Sequence, residues 1–129
     1  MTPAERGRAA TVLAPCSVGD LLDRITILRI KHARCSDGQR ANVARELAQL
    51  EVLAGDEPEM EELSAVNLAL WEVEDRLRAA EAEARFGEAF VADARSVYRL
   101  NDRRAAIKKA LNARLGSDIV EEKVHPEYR

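Results

Sequence analysis

This sequence predicts an all-α helical bundle: a long antiparallel helical hairpin, about 57–86 and 88–115, with two shorter helices, about 17–34 and 37–54. Three observations point there. Hydrophobic residues make up 47% of the 129 residues and aromatic ones only 4%; alanine and leucine supply the bulk, a mix that favours helix over sheet. Apolar residues recur at 3–4 spacing through most of the chain, the period of an amphipathic helix. The prolines, Pro3, Pro15, Pro58 and Pro126, lie outside or at the edge of these periodic segments, where they leave helix interiors intact.

The first helix opens at Ser17, a capping residue, with Asp20 three positions on. Asp20 and Asp23 sit near its positive end, and Lys31, His32 and Arg34 near its negative end. Val18, Leu21, Leu22, Ile25 and Leu28 form its stripe, widened by Ile27 and Ile30, which predicts burial on more than one side. The second helix carries Val43, Leu47, Leu50 and Ala54 and stops before Gly55. The third starts near Asp56, with Pro58 in its first turn and Glu59 placed for a capping box. Its apolar positions, Leu63, Val66, Leu70, Val73, Leu77, Ala80 and Ala84, step alternately by three and four, the signature of a coiled-coil seam. The fourth runs from Glu88 to Leu115 and stops at Gly116. Residues 117–129 have no helical period, but Val120, Val124 and Tyr128 suit an extended arm. Residues 1–14, with Pro3, Gly7 and scattered arginines, read as a disordered extension ahead of a single helical domain, 15–129.

A tight turn at Gly87 folds helices three and four into the hairpin. Levels counted from that turn pair Ala84 with Phe90, Ala80 with Ala94, Leu77 with Val97 and Leu63 with Leu111, all apolar. Between them the pattern breaks: Val73 is level with Asn101, Leu70 with Arg104 and Val66 with Lys108. A single helix running through Gly87 is the alternative, and it needs a partner chain to cover its seam.

That break falls in a basic stretch. Arg95, Arg99 and Arg103 are four residues apart, as are Arg104 and Lys108, and Asp102 is the one acid between 95 and 109. Like charges at this spacing cost about 0.2–0.5 kcal/mol per pair, so the face requires a negative neighbour. Residues 51–88 hold 12 acids and 3 bases, which offers Glu72, Glu74 and Asp75 as inter-helix partners, with Asn101 and Arg104 fixing register. Glu72 with Arg76, Glu74 with Arg78 and Glu81 with Arg85 also pair along helix three itself, leaving basic charge over. The functional alternative is an anion site in which Arg99, Arg103, Arg104 or Lys108 holds a phosphate or carboxylate. Tyr98 and Asn101 would then orient the ligand, and Trp71 would wall the site.

Glu59-Met-Glu-Glu62 and Glu72-Val-Glu-Asp75 resemble the paired carboxylates of all-helical nucleotide pyrophosphohydrolases, whose acids converge on magnesium from separate helices. Here both pairs fall on one helix, and the ten residues from Glu62 to Glu72 span ~15 Å, too far for one ion. His32 and His125 are distant and lack a cysteine cluster, so no metal site and no cofactor are expected. Neither a phosphate-binding glycine loop nor a CxxC pair occurs. Cys16 and Cys35 flank the first helix, roughly 25–30 Å apart if it forms, too far for a disulfide; a reducing cytoplasm is the simplest setting. The net charge of −3 argues against general nucleic-acid binding, and no run of 18 apolar residues suggests a membrane span.

Two stretches carry a family likeness: Ser17-Val-Gly-Asp-Leu-Leu-Asp-Arg-Ile-Thr-Ile-Leu-Arg-Ile-Lys31, and Ala94-Arg-Ser-Val-Tyr-Arg-Leu-Asn-Asp-Arg-Arg-Ala-Ala-Ile-Lys108 with Glu121-Glu122-Lys123 following. Together they resemble a family of small bacterial all-helical proteins classed as a domain of unknown function. The likeness covers about Val12 to Tyr128. It implies a bacterial protein complete at this length, with the residues before Val12 as an extension, and it carries over no activity. The narrow seam of helix three and the wide stripe of helix one leave apolar surface over, so a homodimer is expected. The leading expectation is a non-enzymatic assembly, adaptor or ligand-binding module. Its partner would be a protein or a small phosphorylated ligand, held at Tyr98, Arg99, Asn101, Arg103, Arg104 and Lys108, with Trp71, Glu72, Glu74, Asp75 and Asp102 as polar neighbours. The alternative is a metal-dependent nucleotide hydrolase using helix-three carboxylates.

Overall fold

A computed structural model describes residues 11–128. Four helices follow in order: α1 (Val18–Arg34), α2 (Asp37–Glu51), α3 (Glu59–Ala82) and α4 (Glu88–Leu115). The start of the expected disordered extension, residues 1–10, lies outside the described residues; Thr11 to Ala14 are exposed and carry no regular structure. Helices α3 and α4 pack against each other as the expected hairpin, and α1 packs against all three other helices. The core follows from the apolar stripes. Leu22 and Ile25 of α1 meet Met60, Leu63 and Val66 of α3 and Ile107 and Leu111 of α4. Helix α2 contributes no buried residue; it lies on α1, with Leu47 and Leu50 against the core edge and Arg24–Glu46 (3.1 Å) and Arg29–Glu51 (3.2 Å) outside.

Helix ends differ from expectation where local hydrogen bonding takes over. Helix α2 stops at Glu51, short of Ala54, because the Leu53 N–H turns in to the Leu50 carbonyl (3.0 Å). No capping box forms at the start of α3: Glu59 is drawn to Arg114 (2.6 Å) instead. The hairpin turn lies at Ala84 rather than Gly87. Arg85 N–H donates to the Ala80 carbonyl (2.8 Å) and Ala84 N–H to the Glu81 carbonyl (3.1 Å), a Schellman closure that ends α3 at Ala82 and places Ala84 at φ 53°. Gly87 has a negative φ and serves as the N-cap of α4.

Alanine is disfavoured in the left-handed region that Ala84 occupies, and glycine is not. Ala84→Gly is therefore expected to raise stability by about 1 kcal/mol, or about 3–5 °C in melting temperature. A thermal melt that is unchanged or lowered would show that another interaction governs the turn. Beyond Gly116, which takes the left-handed position closing α4 at φ 67°, residues 117–128 turn back over α4 without regular structure. No helix among the described residues is long and apolar enough to cross a membrane.

Candidate functional site

The break in the hairpin seam is filled by α1. Asp23 lies one residue after the core Leu22, so the wide stripe of α1 carries its carboxylate inward; its side chain is 5% exposed. Arg104 grips it bidentately, Nε to Oδ1 at 3.0 Å and Nη2 to Oδ2 at 2.5 Å. Asn67 of α3 donates from Nδ2 to Asp23 Oδ1 (2.8 Å) and to the Thr26 hydroxyl oxygen (2.9 Å). Thr26 in turn donates to the Asp23 carbonyl (2.7 Å). Asp23 is thus no macrodipole partner on the surface, as its position near the helix start suggested; it is a buried acceptor that joins three helices.

Lys108, one turn further along α4, has a side chain only 8% exposed. Its Nζ lies 2.6 Å from Asp20 Oδ1, 2.7 Å from Glu121 Oε2 and 3.9 Å from Asp23 Oδ2. Burial alone would lower the lysine pKa. The hydrogen bonds to Asp20 and Glu121 and the charge of Asp23 outweigh burial and raise it, so the ammonium stays charged. The hydrogen bond to Asp23, opposed by partial burial, likewise raises the pKa of Arg104.

The start of α1 is closed by the end of α4. Val18 N–H donates to the Ser117 hydroxyl (3.4 Å), Gly19 N–H to Asn112 Oδ1 (2.6 Å) and Asp20 N–H to the Ser17 hydroxyl (3.0 Å). The expected Ser17 cap is therefore present, and the N–H groups that could hold an anion at this helix start already have partners.

Between α4 and the returning tail lies a cleft of about 1020 Å³. Tyr98, Asn101, Asp102, Arg104 and Lys108 line its α4 wall, and Glu121, Lys123, His125, Pro126, Glu127 and Tyr128 line the wall formed by the tail. The tail is tied down by Glu121 on Lys108 and by Lys123 on Asp102 (3.0 Å). Tyr128 adds an edge contact with Tyr98, ring centroids 4.7 Å apart. Lys123 and then Tyr128 hold the Asp102 carboxyl below its ordinary pKa, and the carboxylate in turn pushes the Tyr128 hydroxyl up.

Of the residues expected to hold an anion, Tyr98, Asn101, Arg104 and Lys108 share this cleft, whereas Arg99 and Arg103 do not line it. Arg99 and Arg103 are exposed and have no carboxylate within ion-pair distance among the described residues. The acidic partners expected from α3 lie elsewhere. Glu72 pairs with Arg34 across to α1 (3.5 Å) and Glu74 with Arg78 along its own helix (3.7 Å). Asp75 is exposed and meets no cation among the described residues, and Trp71 does not line the cleft. Arg76 takes Asp93 (3.0 Å) rather than Glu72, and Arg85 takes Glu83 rather than Glu81. Asp20 and Asp23 answer the basic stretch because α1, not the outer face of α3, lies over that level of α4. Asp23, Asn67, Thr26 and Asn112 were missed as site residues. The available signal was polar residues set inside an apolar stripe.

The carboxylate pairs of α3 do not converge: Glu59 is held by Arg114 and Glu72 by Arg34. No group of three metal-ligating side chains spaced for one ion occurs among the described residues. Cys16 and Cys35 are free thiols at the two ends of α1.

In comparison with known proteins, a model described as a family of unknown function, DUF6165, matches residues 13–127. The same comparisons found no match among curated proteins and none among solved structures.

Proposed function

The chain belongs to that family, DUF6165, and we propose that it is a small non-enzymatic binding module that takes up an organic anion in the cleft between α4 and the tail. The observation that carries this reading is that Tyr98, Asn101, Arg104 and Lys108 line one wall of a single cleft. Cations and an amide are suited to a carboxylate or phosphate. The Tyr98 ring, on the α4 wall, offers an apolar surface for the body of the ligand. We place the module in a bacterial cytoplasm, as a homodimer that covers exposed apolar side chains such as Val52, Leu53, Phe86 and Val91. A strict monomer in light scattering would overturn the dimer. The nucleotide-hydrolase alternative is not favoured, because its carboxylate pairs do not converge and one member of each, Glu59 and Glu72, is held by an arginine within the chain.

The test is a thermal-shift titration with inorganic phosphate, pyrophosphate, succinate and a nucleoside diphosphate. A probe at 100 times its dissociation constant adds about 2.7 kcal/mol, a shift of several degrees. Tyr98→Ala, at a position whose side chain stands at the surface, is expected to remove at least about half of that shift while leaving the helical circular dichroism intact. A shift unaltered by Tyr98→Ala would move the ligand away from the cleft. No shift with any probe, in the wild type and in a variant lacking the Glu121 carboxylate, would overturn the reading.

A further inference from the structure

We infer that the C-terminal tail is a displaceable strap and that Glu121 is a built-in counter-ion, which an incoming carboxylate or phosphate replaces on Lys108; the inference rests on the cleft being a ligand site. The Lys108 ammonium sits in a nearly sealed position and hydrogen-bonds to Asp20 and Glu121, with Asp23 beyond hydrogen-bond range at 3.9 Å. Asp23 is buried, and Asp20 is carried on the first turn of the same packed helix, α1. Glu121 belongs to an irregular segment, is 55% exposed and lines the cleft. It is the carboxylate on Lys108 whose backbone can leave without a helix moving.

Little else holds the tail. Residues 118–128 are all exposed, so none of their side chains is buried. The remaining ties are Lys123 on Asp102 and the ring contact of Tyr128 with Tyr98. Exposed ion pairs contribute little to stability, and segments with few buried apolar contacts open locally at low cost. Departure of Glu121 alone would leave a buried ammonium short of one acceptor, which is unfavourable. Exchange for another anion avoids that cost. Because Glu121 is itself a carboxylate held at 2.7 Å, the position is dimensioned for a ligand carboxylate or a phosphate oxygen.

The experiment uses the full-length wild type and Glu121→Ala. Calorimetric titration with succinate and with pyrophosphate is run beside tryptic cleavage after Lys123, followed by mass spectrometry as loss of residues 124–129. If the strap is closed nine-tenths of the time, freeing it tightens binding about tenfold, so Glu121→Ala should bind a probe about tenfold more tightly. Cleavage after Lys123 should be several-fold faster in Glu121→Ala, and in the wild type it should accelerate saturably as the probe binds. Equal affinities in the two proteins, or probe binding that slows cleavage after Lys123, would overturn the strap and leave the cleft as a binding site. No binding by either protein would overturn the cleft and the strap together. Should Glu121→Ala lose helical circular dichroism, Glu121→Gln, which keeps the side-chain volume and removes the charge, takes its place in every arm.

Discussion

Replacing Arg104 with alanine should cost about 3–5 kcal/mol of stability, the range for removing one partner of a buried ion pair. The magnitude follows from what is left behind. Asp23 keeps the Asn67 amide at 2.8 Å, but the nearest remaining cation is Lys108 at 3.9 Å, already hydrogen-bonded to Asp20 and Glu121. A carboxylate that is 5% exposed then carries its charge in the protein interior without its main donor. Arg104→Lys should recover only part of the loss, because an ammonium is a point donor and cannot reproduce the two-pronged contact of Nε and Nη2. Urea unfolding followed by circular dichroism measures both variants on one scale. A loss below about 1 kcal/mol for Arg104→Ala would match a surface ion pair and would mean that water reaches Asp23 freely. Because Arg104 is 28% exposed on its cleft side, the same substitution also alters the candidate site. Ligand assays on it are interpretable only after this stability measurement.

What the sequence disclosed and what it concealed divide along the range of the contacts. Helix α4 was legible to the residue, since Gly87 and Gly116 bound it. The Ser17 cap was legible because a cap acts within one turn. The gap in the seam at Asn101, Arg104 and Lys108 was also visible, as polar residues at positions where the hairpin required apolar ones. Its explanation was not visible, because Asp23 lies 81 positions before Arg104 and no helical spacing rule reaches that far. Counting levels between α3 and α4 treats the hairpin as a pair, whereas α1 makes the packing three-sided. The tail illustrates a second limit. Lys108 and Glu121 are only 13 positions apart, yet the return of the chain depends on Gly116 and on Ser117, whose N–H donates to the Asn112 carbonyl at 2.9 Å, and neither residue announces the direction of the turn. The same composition that marked residues 117–129 as an extended arm therefore left the cleft beneath it unseen.

Gly19→Ala should lower stability by about 1–3 kcal/mol, the usual cost of overpacking, although glycine to alanine inside a helix ordinarily gains up to about 1 kcal/mol. The sign is set by packing. A Cβ at position 19 would stand 2.9 Å from Asn112 Oδ1, 3.0 Å from the Lys108 carbonyl oxygen and 3.1 Å from Asn112 Nδ2. Asn112 is itself buried and holds the Gly19 N–H at 2.6 Å, so it cannot rotate away without stranding that donor. The Lys108 carbonyl belongs to the backbone of α4 and moves only with the helix. Relief therefore requires the start of α1 to retreat from α4, which also pulls Asp20 and Asp23 away from Lys108 and Arg104. A double-mutant cycle with Asn112→Ala separates the two sources of strain. If the Asn112 side chain dominates, the double variant should lose clearly less than the sum of the single losses. If the Lys108 carbonyl dominates, the losses should add. In either case Gly19→Ala should be the less stable protein in urea unfolding. A neutral or stabilising result would mean that α1 and α4 are not held at this separation, and that the position of Lys108 at the cleft is set by its ion pairs alone.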